Sequence, residues 1–186
     1  ITVFGFSMTS NSQVELGNFK IDGSATLYWT KVFECDSSIN IIDYFEKSGI
    51  IDTPTKTDST ISGRIFPIEA DFKGAGYSEM TTPMYVARKT ITAFVLIEVR
   101  PGRYKVTLRD ITLTQKYADG LSAQGEITML STFAVKSSTK FKPAFTNAPA
   151  IIYNHTFKKR FNIIQQIHCL FPVNRKINKV SGTLFP

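Results

Sequence analysis

Aromatic and β-branched side chains crowd residues 24–35, and this pattern predicts a first β-strand. Apolar residues then recur at helical spacing between Ile39 and Gly49, with acidic residues on the opposite side. Three polar residues that make good N-caps, at positions 36–38, precede this stretch, so we expect a short amphipathic helix packed on a sheet. The apolar positions of the helix are Ile39, Ile41, Ile42 and Phe45.

The next part of the chain alternates between polar and apolar stretches. Residues 52–60 contain only polar side chains and one proline, which predicts a surface loop. Residues 61–70 are typical of a second strand, and residues 71–83, with two glycines and a proline, are typical of another loop.

A long hairpin is the strongest local pattern in the chain. Residues 85–100 predict a strand, Pro101 and Gly102 break it, and residues 103–115 predict the returning strand. Apolar and basic side chains alternate along the return up to Asp110, after which the apolar positions shift by one. One extra residue, a β-bulge, would explain that shift.

The pattern is weaker beyond residue 117. Residues 125–135 and 139–145 are compatible with further strands, and residues 147–150 with a connector. Apolar side chains then step by three and four from Phe157 to Phe171, which predicts a helix of about four turns that ends at Pro172. The positions on this stripe are Phe157, Phe161, Ile164, Ile167 and Phe171.

These elements together predict an α+β fold in which an antiparallel sheet packs against a short and a longer helix. With 186 residues, the chain suits an N-terminal extension over 1–23 and one domain over 24–186. Fifteen Phe, seven Tyr and one Trp indicate an aromatic core. No apolar run is long enough for a membrane-spanning helix.

Charge is distributed unevenly along the chain. Lys and Arg exceed Asp and Glu by 22 to 15, but residues 127–186 hold nine basic side chains and no acidic one. Such a segment could bind nucleic acid, an acidic polysaccharide or anionic lipid. It could equally dock on the slightly acidic remainder of its own domain.

Candidate catalytic groups are few. A hydrolase would need His155 or His168 beside Cys35, Cys169 or a carboxylate, and no local motif shows such a pair. The two cysteines allow one disulfide, although two buried thiols are the simpler interpretation. Two histidines and two cysteines also lack zinc-finger spacing.

Other short motifs are equally unspecific. Gly74-Ala75-Gly76 lacks the remaining residues of a phosphate-binding loop, so we expect no metal and no cofactor. Asn154-His155-Thr156 matches a glycosylation sequon, a pattern that arises often by chance.

Basic side chains form the remaining candidate site. On the returning strand they would share one face, with Arg64 and Arg88 nearby, and could bind phosphate or sulfate. A second group flanks the apolar stripe of the last helix and could bind a membrane surface. A solvated outer face is the ordinary explanation for the first group, and a helix that simply packs its apolar stripe on the domain is the ordinary explanation for the second. The candidate anion-binding residues are Arg103, Lys105, Arg109, Lys158, Lys159 and Arg160.

Three segments resemble the DUF4468 family, exported proteins of unknown function from Bacteroides-type bacteria with a TBP-like fold. They are Leu27-Tyr28-Trp29-Thr30-Lys31-Val32-Phe33, Ile61-Ser62-Gly63-Arg64-Ile65 and Gly102-Arg103-Tyr104-Lys105-Val106-Thr107-Leu108. The resemblance covers residues 20–116. It implies a TBP-like fold and a periplasmic or lipid-anchored location, and it implies no catalytic residue.

We therefore expect a non-enzymatic exported module that binds an envelope protein or an anionic polymer. The chain begins at Ile1, which fits a removed signal peptide and equally a shortened chain. Export would argue against nucleic acid as the partner. Binding of a polyanion through the basic C-terminal third and a hydrolase with a dispersed site are the alternatives.

Overall fold

The computed structural model describes residues 14–120, 122–137 and 140–164. Its strands are β1 (Val14–Leu16), β2 (Phe19–Ile21), β3 (Leu27–Glu34), β4 (Ile51–Lys56), β5 (Thr60–Ile65), β6 (Ile68–Glu69), β7 (Lys89–Arg100), β8 (Arg103–Gln115), β9 (Ile127–Met129), β10 (Val135–Lys136) and β11 (Lys140–Phe141). Its α-helices are α1 (Ile41–Lys47), α2 (Met84–Ala87), α3 (Leu130–Ala134), α4 (Pro143–Thr146) and α5 (Ala148–Phe161), and a 3₁₀ turn spans Glu79–Thr81.

One antiparallel sheet dominates the structure. Its strands follow the order β1-β2-β3-β8-β7-β5-β4, while β9 pairs with β8 and β6 with β7. Strands β10 and β11 form a separate two-stranded ribbon. Residues 14–21, which the sequence placed in an N-terminal extension, supply β1 and β2 of the main sheet, and Phe19 and Ile21 are buried in its core.

The long hairpin of β7 and β8 forms the centre of this sheet, as the sequence predicted. Gly102 has φ +74°, a backbone conformation that favours glycine in a tight turn, and Arg100 pairs with Arg103 across it. The pairing register shifts after Thr92, and Asp110 adopts φ +48°. The predicted bulge is therefore confirmed, and Val106 and Leu108 before it are fully buried.

The helices pack on one face of the sheet, which we call the covered face. The ring centroid of Trp29 on β3 lies 5.5 Å from that of Phe157 on α5, and Phe45 on α1 lies 5.8 Å from Tyr104 on β8. The Tyr104 hydroxyl donates a 2.7 Å hydrogen bond to the Phe161 carbonyl and accepts one of 3.2 Å from the Ile163 N–H. The predicted α+β class, with a short helix and a longer C-terminal helix on one side of an antiparallel sheet, is confirmed.

The first helix forms as predicted, but its cap was wrong. The Asn40 side chain, rather than any residue of 36–38, accepts the Asp43 N–H at 3.1 Å. The Asp36 carboxylate instead accepts the Ser38 N–H in a local turn. Because the Asp36 side chain is engaged in that local turn, it does not cap helix α1.

Residues 52–60 were predicted to be a loop, but most of them form the edge strand β4. Thr53 adopts φ +41°, and the pairing with β5 shifts between Asp52 and Thr55. Pro54 is tolerated because an edge strand has one unpaired side. Gly63 on β5 permits the close approach, since a Cβ there would lie 2.6 Å from Ile51 Cγ2.

Three other boundaries differ from the prediction. The expected strand over 61–70 is split into β5 and β6, and residues 84–87 form helix α2 before β7 begins. The expected strands over 125–135 and 139–145 are short and pass into α3 and α4. Pro67, Pro83 and Pro143 account for the break after β5 and for the starts of α2 and α4, whereas no proline or side-chain cap precedes α3.

The last helix begins earlier than expected. Pro149 lies in the first turn of α5, where proline is tolerated, so residues 147–150 are not a connector. Asn162 has an extended ψ of 97°, which ends the helix at Phe161 and changes which later residue faces the core. Ile163 is therefore buried while Ile164, expected on the stripe, is 42% exposed. The predicted helical positions Ile167 and Phe171 lie outside the described residues.

Candidate anion-binding face

Alternate residues of the central strands point away from the helices and form what we call the open face. Because neighbouring residues of a strand point to opposite sides, each buried position of β3, β8, β7 and β5 is followed by one on this face. The open face includes Tyr28, Thr30, Val32, Ser62, Arg64, Phe94, Leu96, Glu98, Arg100, Arg103, Lys105, Thr107 and Arg109.

Two arginines face each other at the hairpin end of the open face, and we call them the tip pair. Arg100 and Arg103 are directly opposite in the last pair of the β7–β8 ladder, and both are exposed. Among the described residues neither forms an ion pair. Like charges directly opposite each other in a sheet are destabilising, but Arg103 also has Glu34 as its cross-strand neighbour on β3, and this carboxylate offsets part of the repulsion.

A second pair of arginines lies lower on the same face and flanks an aromatic ring. Arg109 on β8 and Arg64 on β5 are the cross-strand neighbours of Phe94 on β7, and we call these two arginines the lower pair. The Phe94 side chain is 38% exposed. The Arg109 guanidinium lies 5.5 Å from the centre of the Tyr28 ring, a cation–π contact that orients it. Within the described part of the chain, neither arginine has an acidic partner within ion-pair distance.

The band between the two pairs carries no net charge. Lys105 and Glu98 form an ion pair at 2.6 Å, so Lys105 is already neutralised. The Thr30 and Thr107 hydroxyls share a 3.3 Å hydrogen bond, and Thr107 is otherwise buried by its neighbours. Hydroxyl and apolar groups therefore fill the middle of the open face.

A shallow cavity of about 190 Å³ opens beside the tip pair. Val32, Glu98, Arg100, Arg103 and Lys105 line it, together with Tyr104. The walls thus combine the apolar Val32 with two guanidinium groups and the Lys105–Glu98 ion pair. A carboxylate, sulfate or phosphate group is the chemistry that two close guanidinium groups recognise.

The six predicted anion-binding residues do not form one site. Arg103, Lys105 and Arg109 lie on the open face, whereas residues 158–160 belong to α5 on the other side of the sheet. Arg88 lies at the end of α2, outside the strands. The two basic groups distinguished in the sequence thus lie on opposite sides of the sheet.

The basic residues of α5 are partly used within the domain. The Lys159 ammonium lies 2.6 Å from the Asp71 carboxylate, and this hydrogen bond, with that of the Gly74 N–H, lowers the pKa of Asp71. Burial and the nearby charge of Lys31 lower the pKa of Lys158. Lys159 therefore follows one of the two alternatives from the sequence, in which the basic segment docks on its own domain.

His155 is the described histidine, and it lies near a carboxylate. Its Nε2 is 3.5 Å from Asp71 Oδ2, the kind of pair a hydrolase would need. The adjacent Thr156 hydroxyl is buried, donates to the Ile152 carbonyl at 2.8 Å and accepts the Asp71 N–H at 2.9 Å. Since this hydroxyl is held by the backbone and Asp71 by Lys159, the arrangement ties a loop to α5 and offers no activated nucleophile.

The remaining candidate groups have structural surroundings. Cys35 is half-buried, and burial, with Glu34 and Asp36 beside it, raises the pKa of its thiol. His168 and Cys169 lie outside the described residues. Asn154 of the sequon lies on helix α5. Its side-chain amide oxygen Oδ1 accepts hydrogen bonds from the Asn18 side chain at 2.7 Å and from the Trp29 indole N–H at 3.0 Å. That side chain therefore holds the core together.

Over 14–120, 122–137 and 140–164, no three His, Cys, Asp or Glu side chains are grouped in a way that could hold a metal ion. None of the helices in those ranges has the length and apolarity needed to cross a bilayer.

Sequence reasoning missed Phe94 and Arg100 as members of the candidate site. Phe94 lies in the unbroken apolar run Ala93–Ile97 of β7, so no alternation in the sequence marks it as facing the open side. Arg100 gave no indication either, because its partnership with Arg103 depends on a turn of two residues.

Comparison with known proteins gives a structural likeness only. No protein-family model and no curated protein matches the chain. The chain is similar to a DUF4468 family protein. That solved structure, from Bacteroides ovatus ATCC 8483, has a TM-score of 0.39 and 14% identity, over 74% of this chain and 86% of the other. A TBP-like protein from Parabacteroides distasonis ATCC 8503 has a TM-score of 0.47 and 13% identity, over 74% and 91%. The family resemblance noted from the sequence thus recurs among solved structures, and it implies no activity.

Proposed function

We propose that this chain is a non-enzymatic binding module and that its open face binds an anionic ligand. The observation that carries the proposal is the presence of four exposed arginines on one side of the sheet, none in an ion pair among the described residues, although Glu34 and Asp52 are the cross-strand neighbours of Arg103 and Arg64. The guanidinium groups of the tip pair lie on directly opposite residues and repel each other, and a bound anion relieves that repulsion. The sites on which the proposal rests are the tip pair and the lower pair.

Binding to heparin over a range of salt concentrations tests this proposal. We expect retention at low salt and a linear fall of log affinity with log salt, because bound cations are released from the polymer. Arg109→Gln should weaken binding by roughly tenfold, as expected for one charge-assisted contact. Arg88→Gln removes the same charge from outside the open face and should change little. No retention at low salt would contradict the proposal.

Location is the second part of the proposal. The resemblance to DUF4468 proteins implies export, with the module acting in the periplasm or as a lipoprotein at the cell envelope. Fractionation of cells that express the full-length gene, with mass spectrometry of the mature N-terminus, tests this directly. A lipidated cysteine or a cleaved leader would support export, and an unprocessed protein in the cytoplasm would contradict it.

A further inference from the structure

The two arginine pairs lie far apart along the same strands. Arg103 and Arg109 are six residues apart on β8, and Arg100 and Phe94 are six residues apart on β7. At about 3.4 Å per residue, the pairs are separated by roughly 20 Å. A small anion can therefore contact one pair, but only an elongated ligand can contact both.

The band between the pairs restricts the ligand further. Lys105 and Glu98 neutralise each other, so a ligand that needs a cation at every repeat would find none there. The other groups of the band are hydroxyls and short apolar side chains: Thr30, Val32, Ser62, Leu96 and Thr107. A ligand segment with many hydroxyl groups and few charges fits this band.

Single-stranded nucleic acid fits the open face less well. Its phosphates repeat at every nucleotide, and its tight binding uses several aromatic rings as stacking platforms. Phe94 is one such ring, but the face of Tyr28 is already in contact with Arg109. An anionic membrane surface fits poorly too, since it would favour a continuous positive patch.

We infer that the ligand of the open face is an acidic polysaccharide that lies along β7 and β8. Its carboxylate or sulfate groups bind the tip pair and the lower pair, and its hydroxyl-rich middle rests on the neutral band. The inference rests on the proposed function and adds the class of ligand and its direction. Each arginine can hold one such group with two parallel hydrogen bonds.

Calorimetric titration with hyaluronan oligosaccharides of increasing length, which carry a carboxylate on every second sugar only, tests the span. Oligomers shorter than about 20 Å should bind weakly, and longer ones should bind roughly a hundredfold more tightly, because the second contact becomes intramolecular. Arg64→Gln with Arg109→Gln, and separately Arg100→Gln with Arg103→Gln, should reduce long oligomers to the affinity of short ones. Size-matched oligogalacturonides, which carry a carboxylate on every sugar, should gain no affinity from their extra charges because the band is neutral, and neutral dextran is the uncharged control.

Each outcome separates the inference from the proposed function. Arg→Lys variants of either pair should bind with intermediate affinity, since they keep the charge and lose the two-pronged geometry. A smooth increase of affinity with length would overturn the span between the two pairs. Tighter binding of poly(dT) than of hyaluronan at equal salt would overturn the polysaccharide assignment. Either result leaves anion binding standing. No binding of any of these polymers at low salt would overturn both.

Discussion

The two faces of the central sheet use the same strands in opposite ways. On the covered face, Trp29, Val106 and Phe157 are fully buried, and the polar atoms among them are paired. The Trp29 indole N–H, for example, reaches Asn154 on α5. On the open face, Phe94 is exposed, and Arg64, whose cross-strand neighbour on β4 is Asp52, forms no ion pair among the described residues.

This difference shows that stability and recognition are assigned to alternate positions of one strand. Covered positions gain from burial, at about 25 cal/mol per Å² of apolar surface. Open positions contribute little to folding, so their side chains are available for binding. Substitutions on the two faces should therefore separate stability from ligand affinity.

The largest contrast should come from one substitution made on each face. Phe157→Ala removes a fully buried ring that packs against Trp29 and Phe19, and we expect a loss of about 3–5 kcal/mol in the free energy of unfolding. Phe94→Ala should cost about 1 kcal/mol or less, because that ring is partly in water. Urea unfolding of both variants measures the difference.

Ligand affinity should rank these two variants the other way round. Phe94→Ala should weaken binding to the anionic polymer, whereas Phe157→Ala should bind normally wherever it remains folded. Equal losses of stability in the two variants would show that the open face is covered and would break the comparison.

A smaller effect is expected from the hydroxyl that joins β8 to the end of α5. Tyr104→Phe leaves the Phe161 carbonyl and the Ile163 N–H without their partner in the core, at a cost of about 1–3 kcal/mol. Burial raises the pKa of Tyr104, so its phenol stays protonated as the donor. Tyr117→Phe, at a residue 68% exposed, is the matched control and should be neutral. Thermal unfolding that moves equally in both variants would contradict this role.

The smallest effect should depend on pH and arises on the outer side of α5. The folded-state pKa of Asp71 is lowered, chiefly by the hydrogen bond from Lys159, so its contribution to stability is complete above the unfolded pKa of about 3.9. It is lost as the pH falls from there through the lower folded value. Asp71→Asn should therefore be less stable than the native chain at pH 7, by about 1 kcal/mol or less.

Urea unfolding of both proteins across the acid range tests the sign of this effect. The gap between the native chain and Asp71→Asn should narrow as the pH falls below about 3.9. The free energy of unfolding of Lys159→Gln should rise less than that of the native chain as the pH is raised through this range, because Asp71 has lost its main partner. A gap that widens towards acid would mean that the carboxylate is not stabilised by its partners.

Strong alternation made much of the fold predictable from the sequence. The hairpin, its bulge at Asp110 and the helix between Ile41 and Lys47 follow from local patterns, and the structure confirms them. Strand β4 escaped prediction because an edge strand needs no apolar residues, and its pairing with β5 depends on contacts distant in sequence. The early start of α5 escaped because Pro149 indicates a turn and a helix start equally.

The candidate site was less predictable than the fold. Arg103 and Arg109 could be placed on one face by counting along a strand, and the structure places them there. The separation of Lys158, Lys159 and Arg160 from them depends on which side of the sheet receives α5, which no local pattern decides. The flanking of Phe94 by Arg64 and Arg109 requires the strand order β8-β7-β5, a feature of topology alone.

The irregular edge at β4 has a consequence for life in a crowded compartment. A protein with one face of its sheet uncovered would tend to self-associate if its edge strand could also pair with a strand of another molecule. Pro54 has no N–H to donate to an added strand, and the positive φ of Thr53 interrupts the regular course of β4. The molecule can thus display a broad ligand platform while its lateral border resists growth into fibres.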